Sequence, residues 1–313
     1  MRGADPAPTD LLVIGGGVAG LTAAAAAAAH GLSVIVVERL TPGGQIATVE
    51  RIRNFPGFAE VVAGFELGPL LQQQAESAGA MFTLDVVERV EHSAGGFTVI
   101  AAAARHNAKS VIVATGSTRK ALGVPGESEL HGRGVSHCAS CDGPFFRDRI
   151  VVVAGGGDSA FDEAELLAEV AAEVLIVHAG SAPTAQKQSV ERVARLHNVR
   201  CLGESRIAAI EGEAGVEAVI VEKGGRSLRQ PCAAVFPQVG LTPNGAFLGA
   251  LVERDARGGI IADAALQTLT RGLFVAGDLR SGCHAMLACV AGDGVAAALE
   301  AFRYLSAAAT ATR

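Results

Sequence analysis

The sequence predicts an α/β fold made of two dinucleotide-binding units, each Rossmann-like and three-layered, and three observations lead to it. Half of the 313 residues are hydrophobic and 39 are glycine, a composition suited to a globular α/β chain. A glycine-rich loop follows an apolar run twice, at "GGGVAG" and at "GGGDSA". Each loop is followed by a helical stretch and a second apolar run, a β–loop–α–β plan of about 30 residues.

In the first unit the strand "LLVI" leads into the glycines, an alanine-rich helix follows, and "LSVIVVE" forms the second strand. Gly15 permits the tight turn, Gly17 lets backbone approach a pyrophosphate, and Gly20 lets the helix pack closely on the strand. The start of that helix offers free N–H groups and a positive dipole end to phosphates. Glu38 closes the second strand about 20 residues on, where a carboxylate accepts hydrogen bonds from a ribose diol. In the second unit "RIVVVA" precedes Gly155, Gly157, Asp158, Ser159 and Ala160, with Ala160 as the small third residue. The helix "FDEAELLAEV" and the strand "AEVLIVHA" complete it.

Charge and composition exclude several function classes. With 26 basic against 32 acidic residues, no Trp and one Tyr, the chain has neither a basic footprint for nucleic acid nor a base-stacking platform. Residues 11–29 carry no charge, but four glycines and a weakly hydrophobic alanine half argue for strand, loop and helix instead of a membrane span. No other stretch is apolar enough to span a bilayer, which places the protein in the cytoplasm.

Six cysteines are too sparse for a secreted disulfide scaffold. Only Cys138 and Cys141, in "HCASCDG", have CxxC spacing. A redox disulfide, half a zinc site and inert thiols all fit two thiols at that distance. No second CxxC or HxxxH completes a zinc site, so the redox pair is the favoured reading and no metal is expected. Cys283 and Cys289 read as small helix-packing residues, and Cys201 and Cys232 have no motif around them.

An ordered set of motifs along nearly the whole chain resembles the low-molecular-weight bacterial thioredoxin reductases, two-domain flavin disulfide reductases. It comprises "GGGVAG", "PGGQIATVERIRNFPGF" at residues 42–58, "ATGS" at 114–117, "CASCDG" at 138–143, "GGGDSA", "GLTPN" at 240–244 and "GLFVAGD" at 272–278. The resemblance implies that residues 119–246, carrying the cysteine pair and the second nucleotide fold, are inserted in a discontinuous FAD domain of residues 1–118 and 247–313. FAD would lie against Gly15, Gly17, Ala19, Gly20, Glu38 and Arg39 of the first unit. Around the flavin nucleotide would stand Gly44, Gln45, Asn54, Val87 and the turn of Ala114, Thr115 and Gly116. Gly277 and Asp278 would hold the ribitol or pyrophosphate region, with Ala285 and Met286 at the last helix. The resemblance further implies a homodimer whose two domains rotate to present the cysteines alternately to the flavin and to a partner. By position, Cys141 would face the flavin, Cys138 would attack the disulfide of a thioredoxin-like protein or small dithiol partner, and Asp142 would be the acid/base. A helix-start CxxC suits this, because backbone donors stabilise the thiolate. Asp142 also reads as a plain cap or turn residue.

Two departures bear on the electron donor. In the nucleotide-dependent members the strand after the second glycine loop ends in HRRxxxR, whose arginines clamp the 2′-phosphate of NADPH. Here "HAGSAPTA" keeps His178 but puts Ala179, Gly180 and Thr184 where the arginines belong, so NADPH should bind poorly. No acid for an NADH ribose stands between Val177 and Ala185 either. At the last helix, Ala285, Met286 and Leu287 replace an Arg-Gln-Ala step. The thiol half of the chemistry is intact while the hydride-accepting half is eroded, which points to a donor such as a reduced ferredoxin or flavodoxin. The alternatives are an NAD(P)H-linked reductase with an atypical adenosine pocket, and a dithiol oxidase, whose signature His after the second Cys is absent.

Overall fold

The computed structural model describes residues 8–311. The chain forms two compact units, one up to Thr118 and again from Thr242 onward, the other spanning Arg119–Leu241. The return to the first unit falls at Thr242, earlier than the expected residue 247. The reason is a reciprocal clamp in the first unit: Asn244 N–H donates to Gly116 O (2.9 Å), its side-chain amide to Thr115 O (3.1 Å), and Thr115 Oγ1 to Asn244 O (2.6 Å).

In the first unit, β1 (Thr9–Ile14), β2 (Val34–Glu38), β3 (Met81–Leu84), β4 (Val87–Ser93), β5 (Gly96–Ala101) and β6 (Arg105–Val113) form one sheet in the order β3-β2-β1-β6-β5-β4. β6 is shared. Its first half pairs antiparallel with β5 and its last residues pair parallel with the strand Leu273–Val275. β1, β2 and the end of β6 are Val/Ile/Leu-rich because both their faces are covered. Leu11 and Val13 point to the side of helix α1 (Val18–Ala29), whereas Leu12 and Ile14 point to residues of the β4–β5 ribbon and the segment Ala246–Leu251.

Eight of the 12 residues of helix α1 are alanine, the best helix former, and these small side chains allow close approach on two sides. Ala23, Ala27, Ala297, Ala298 and Ala301 are fully buried between it and the final helix, Leu287–Ala311. Contact is closest at Gly294, where a β-carbon would lie 2.2 Å from Ala19 O. A third helix, α2 (Gly64–Ser77), adds Leu67 and Leu71 to a cluster with Val18, Leu21 and Ile46.

The second unit repeats the plan. A parallel sheet runs in the order Val199–Leu202, Glu173–Val177, Ile150–Ala154, Ala234–Pro237. Phe161, Ala164 and Leu167 of the helix Asp158–Ala168 cover one face. Ile207, Ile210, Val219 and Val221 of a three-stranded antiparallel sheet cover the other. In both units the glycine loop leaves the C-terminal end of a strand with parallel neighbours on either side, the switch point where open α/β sheets bind ligands.

Candidate active site

A cavity of about 780 Å³ opens in the first unit, near the top of the range for small-molecule sites. The glycine loop forms its floor. Gly15 has φ +103°, and a β-carbon there would lie 2.5 Å from Ala114 O, so only glycine fits. Gly17 caps α1 with no side-chain acceptor, and the first turn carries no acid, leaving the orphan N–H groups for an anion. Gly20 does not line the cavity; it lies beneath, where a β-carbon would be 1.8 Å from Gly15 O. Glu38, 8% exposed, accepts Gly16 N–H at Oε2 (2.6 Å) and Leu40 N–H at Oε1 (2.9 Å). This fixes the carboxylate at the cavity wall beside Arg39.

Ala19, Gly44, Gln45, Val87, Ala114, Thr115, Gly116, Gly277, Asp278 and Ala285 also line the cavity. Asn54 and Met286 do not. Asn54 is exposed on the segment before α2, and Met286 is 41% exposed, while its neighbours Ala285 and Leu287 turn inward. Sequence reasoning missed Thr41, Gly43, Asp85, Ser117, Asn244 and Phe247. Of these, Gly43, Ser117 and Asn244 sat in recognisable motifs; the others arrive by folding.

Asp278 is the wall's most informative residue. Its Oδ1 is buried with no hydrogen-bond partner among the described residues. Burial, reinforced by the nearby Asp293 charge, pushes its carboxyl above the usual range, and a hydrogen bond with Ser117 opposes this only in part. Asp293 itself is held by Arg280 in a two-point contact (2.9 and 3.0 Å) and accepts Gly277 N–H (3.2 Å). An unsatisfied buried acceptor facing a cavity is costly until a ligand donor fills it. A polyhydroxylated dinucleotide such as FAD fits this set: an anion cradle at α1, an acid for a ribose diol, and an orphaned carboxylate between them and the last helix.

In the second unit Cys138 and Cys141 are joined as a disulfide, with α-carbons 5.3 Å apart. Cys138 is the N-cap of the short helix Ala139–Asp142. Its sulfur accepts Cys141 N–H at 3.2 Å and lies 3.3 Å from Ser140 Oγ. Ser136 Oγ accepts Cys138 N–H (3.1 Å), and His137 Nδ1 lies 3.0 Å from Pro237 O. Cys138 is half-buried and Cys141 exposed. Asp142 closes the helical turn and is not its cap; its N–H donates to Cys138 O (3.1 Å), and its carboxylate has no hydrogen-bond partner among the described residues. Phe145, three residues on, is 80% exposed. Among the described residues no three His, Cys, Asp or Glu side chains gather to hold a metal. The remaining cysteines are poor nucleophiles where burial is strong. Burial, with Asp293 and Asp278 adding to it, raises the Cys283 thiol to about 12, and burial raises that of Cys232 to about 12.

The second glycine loop is congruent with the first. Gly155, φ +146°, donates to Val177 O (2.9 Å) as Gly15 does to Val37 O (2.8 Å). Gly157 caps the helix that begins with Asp158, Ser159 and Ala160. Asp158 accepts from Gln186 N–H (2.7 Å) and from its side-chain amide (3.2 Å). No helix among the described residues is long and apolar enough to cross a membrane.

The family model for pyridine nucleotide-disulphide oxidoreductases matches residues 9–300. A thioredoxin reductase of Treponema pallidum is 35% identical over 95% of this chain and 97% of its own length. A thioredoxin reductase of Mycolicibacterium smegmatis is 36% identical over 95% and 96%. The crystal structure of Lactococcus lactis thioredoxin reductase superimposes with a TM-score of 0.92 at 33% identity, covering 96% of this chain and 99% of that one.

Proposed function

This chain belongs to the pyridine nucleotide-disulphide oxidoreductase family, and from that premise we propose that it is a FAD-dependent, thioredoxin-reductase-like enzyme that reduces a thioredoxin-like protein or a small disulfide and does not use NADPH efficiently. The observation that carries the reading is the capped Cys138–Cys141 disulfide, in a chain that also holds a dinucleotide cavity with an orphaned Asp278. Homology to thioredoxin reductases over nearly the full length supports the same reaction class.

The residues divide the work as follows. Glu38, the α1 N-terminus and Asp278 hold FAD, which when bound supplies an electron pair for the disulfide. Cys141 would be the sulfur that takes up electrons when the cofactor is bound, and Cys138 the one that passes them on. Cys138 is the sulfur that attacks the partner's disulfide, because its thiolate inherits the Cys141 N–H and sits at a helix start. Asp142, with an unengaged carboxylate, carries the proton to and from the thiol pair. Phe145 offers an apolar ring beside the disulfide for a protein partner. A homodimer is the assembly that the family pattern favours. Against NADPH stand Ala179, Gly180 and Thr184, none of which can pair a phosphate bearing about two charges; an external carrier of the ferredoxin type is the alternative source of electrons.

The test is anaerobic. Yellow protein should be bleached by dithionite and recover its colour on adding oxidised thioredoxin, while NADPH at micromolar concentration leaves it yellow. Rapid bleaching by NADPH defeats the donor part of the reading. Failure of a disulfide substrate to restore the colour defeats the reaction itself.

A further inference from the structure

The turn that holds the disulfide is fastened to the rest of the second unit by a carboxylate with no part yet in the chemistry. Glu163 lies on the helix Asp158–Ala168, 24 residues beyond Ala139, and its Oε2 accepts Ala139 N–H at 2.6 Å. Ala139 is the first residue of the helix that Cys138 caps, and it is buried in one cluster with Phe161, Ala164 and Leu167 of the Glu163 helix. The far end of the turn is as close, because a β-carbon on Gly143 would lie 3.2 Å from Leu167 Cδ2. The first N–H of a helix has no partner inside it, and a buried one needs a partner from elsewhere. Glu163 supplies it.

The other acids of that helix are engaged differently. Asp162 and Glu165 pair with Arg192 at 3.4 and 3.3 Å, whereas Glu163 Oε1 pairs with Arg119 at 3.6 Å. The Glu163 side chain is 13% exposed and that of Arg119 26%, so water screens the pair only in part. Two effects reach the sulfur. The hydrogen bond fixes the peptide joining Cys138 to Ala139, while Ser136 Oγ fixes the preceding one through Cys138 N–H (3.1 Å). The negative charge held at that peptide opposes a second negative charge on the Cys138 sulfur. A disulfide whose thiolate is destabilised is harder to reduce, and its dithiol is a stronger reductant. Beside the turn also stand Asp142, His137 with Nδ1 3.0 Å from Pro237 O, and His131, whose ring centre is 6.3 Å from that of His137.

We propose that Glu163 is a positioning residue for the Cys138–Cys141 pair: its carboxylate fixes the turn at Ala139, and its charge, moderated by Arg119, makes the reduced pair a stronger electron donor. The inference rests on the disulfide-reductase reading and concerns how that site is poised.

The test equilibrates the flavin-loaded enzyme anaerobically at pH 8 with mixtures of reduced and oxidised dithiothreitol. Alkylation then traps the thiols, and mass spectrometry reads the ratio of dithiol to disulfide at Cys138 and Cys141. Glu163→Gln keeps an acceptor for Ala139 N–H and removes the charge. It should raise that ratio about threefold in the same mixture, the scale of one partly screened charge, equivalent to a potential about 14 mV less negative. Arg119→Gln leaves the carboxylate unopposed and should lower the ratio. Shifts of opposite sign are not what a loosened turn would give. If the unaltered pair takes no electrons from dithiothreitol, the disulfide-reductase reading falls and this inference with it. If the pair exchanges but Glu163→Gln leaves the ratio unchanged, or both substitutions move it the same way, this inference alone falls.

Discussion

Once the Cys138–Cys141 bond is reduced, the two thiols compete for the same alkylating reagent, and two structural effects push in opposite directions. Exposure favours Cys141, because Cys138 is half-buried. Thiolate stabilisation favours Cys138, whose sulfur takes the Cys141 N–H at 3.2 Å and lies 3.3 Å from Ser140 Oγ. A hydrogen bond to a charged group is worth about 1.5–3 kcal/mol. The low end suits a half-buried sulfur and gives about a tenfold larger thiolate fraction, at about 1.4 kcal/mol per factor of ten. Nucleophilicity falls with basicity at a Brønsted slope of about 0.4–0.5, which returns about threefold of that gain. Cys138 should therefore be labelled about threefold faster than Cys141 by limiting iodoacetamide at neutral pH, read by peptide mass spectrometry. Ser140→Ala should shrink the preference. Faster labelling of Cys141 would mean that exposure outweighs the cap and that the sulfur roles are reversed.

Other expectations follow from individual contacts. Asp278→Asn should raise the melting temperature of the apoprotein at pH 7 yet weaken FAD retention. Burial raises the Asp278 carboxyl, so its ionisation destabilises the apo fold as pH rises through that value; calorimetry and flavin content check both signs. Gly294→Ala, whose β-carbon would lie 2.2 Å from Ala19 O, should cost about 1–3 kcal/mol in urea unfolding by forcing α1 and the last helix apart. Phe145→Ser should leave stability within about 0.5 kcal/mol. It should raise the KM for a thioredoxin-like protein while sparing a small disulfide. Ala179→Arg with Thr184→Arg should tighten NADP⁺ binding. Gly180 is left alone because a β-carbon there would meet Ala182 O at 2.8 Å.

What the sequence made legible was local. The glycine loops, their flanking strands and the CxxC turn are each set by a few consecutive residues, and the cradle at Gly15, Gly17 and Glu38 is read directly from spacing. Asn54 and Met286 stand off the cavity, because motif membership says nothing about which way a loop residue turns. Ser117 and Asn244 reach the cavity from segments more than a hundred residues apart, joined by hydrogen bonds that no spacing encodes. The same holds in the second unit, where Glu163 reaches Ala139 N–H from 24 residues along the chain. Asp142 sits at the junction of two short helices, closing the one that Cys138 caps and preceding the turn Gly143–Phe146 as its N-cap residue, with no capping hydrogen bond from its side chain.

The central claim is that bound flavin and the Cys138–Cys141 disulfide form one electron-transfer unit. Stoichiometric anaerobic titration of the purified yellow protein with dithionite, monitored by flavin absorbance and by free-thiol count, tests it most directly. The account predicts uptake of one electron pair for the flavin and a second for the disulfide, with the second pair lost in Cys138→Ser/Cys141→Ser. Uptake of a single pair by the unaltered protein, with no thiols released, would contradict it.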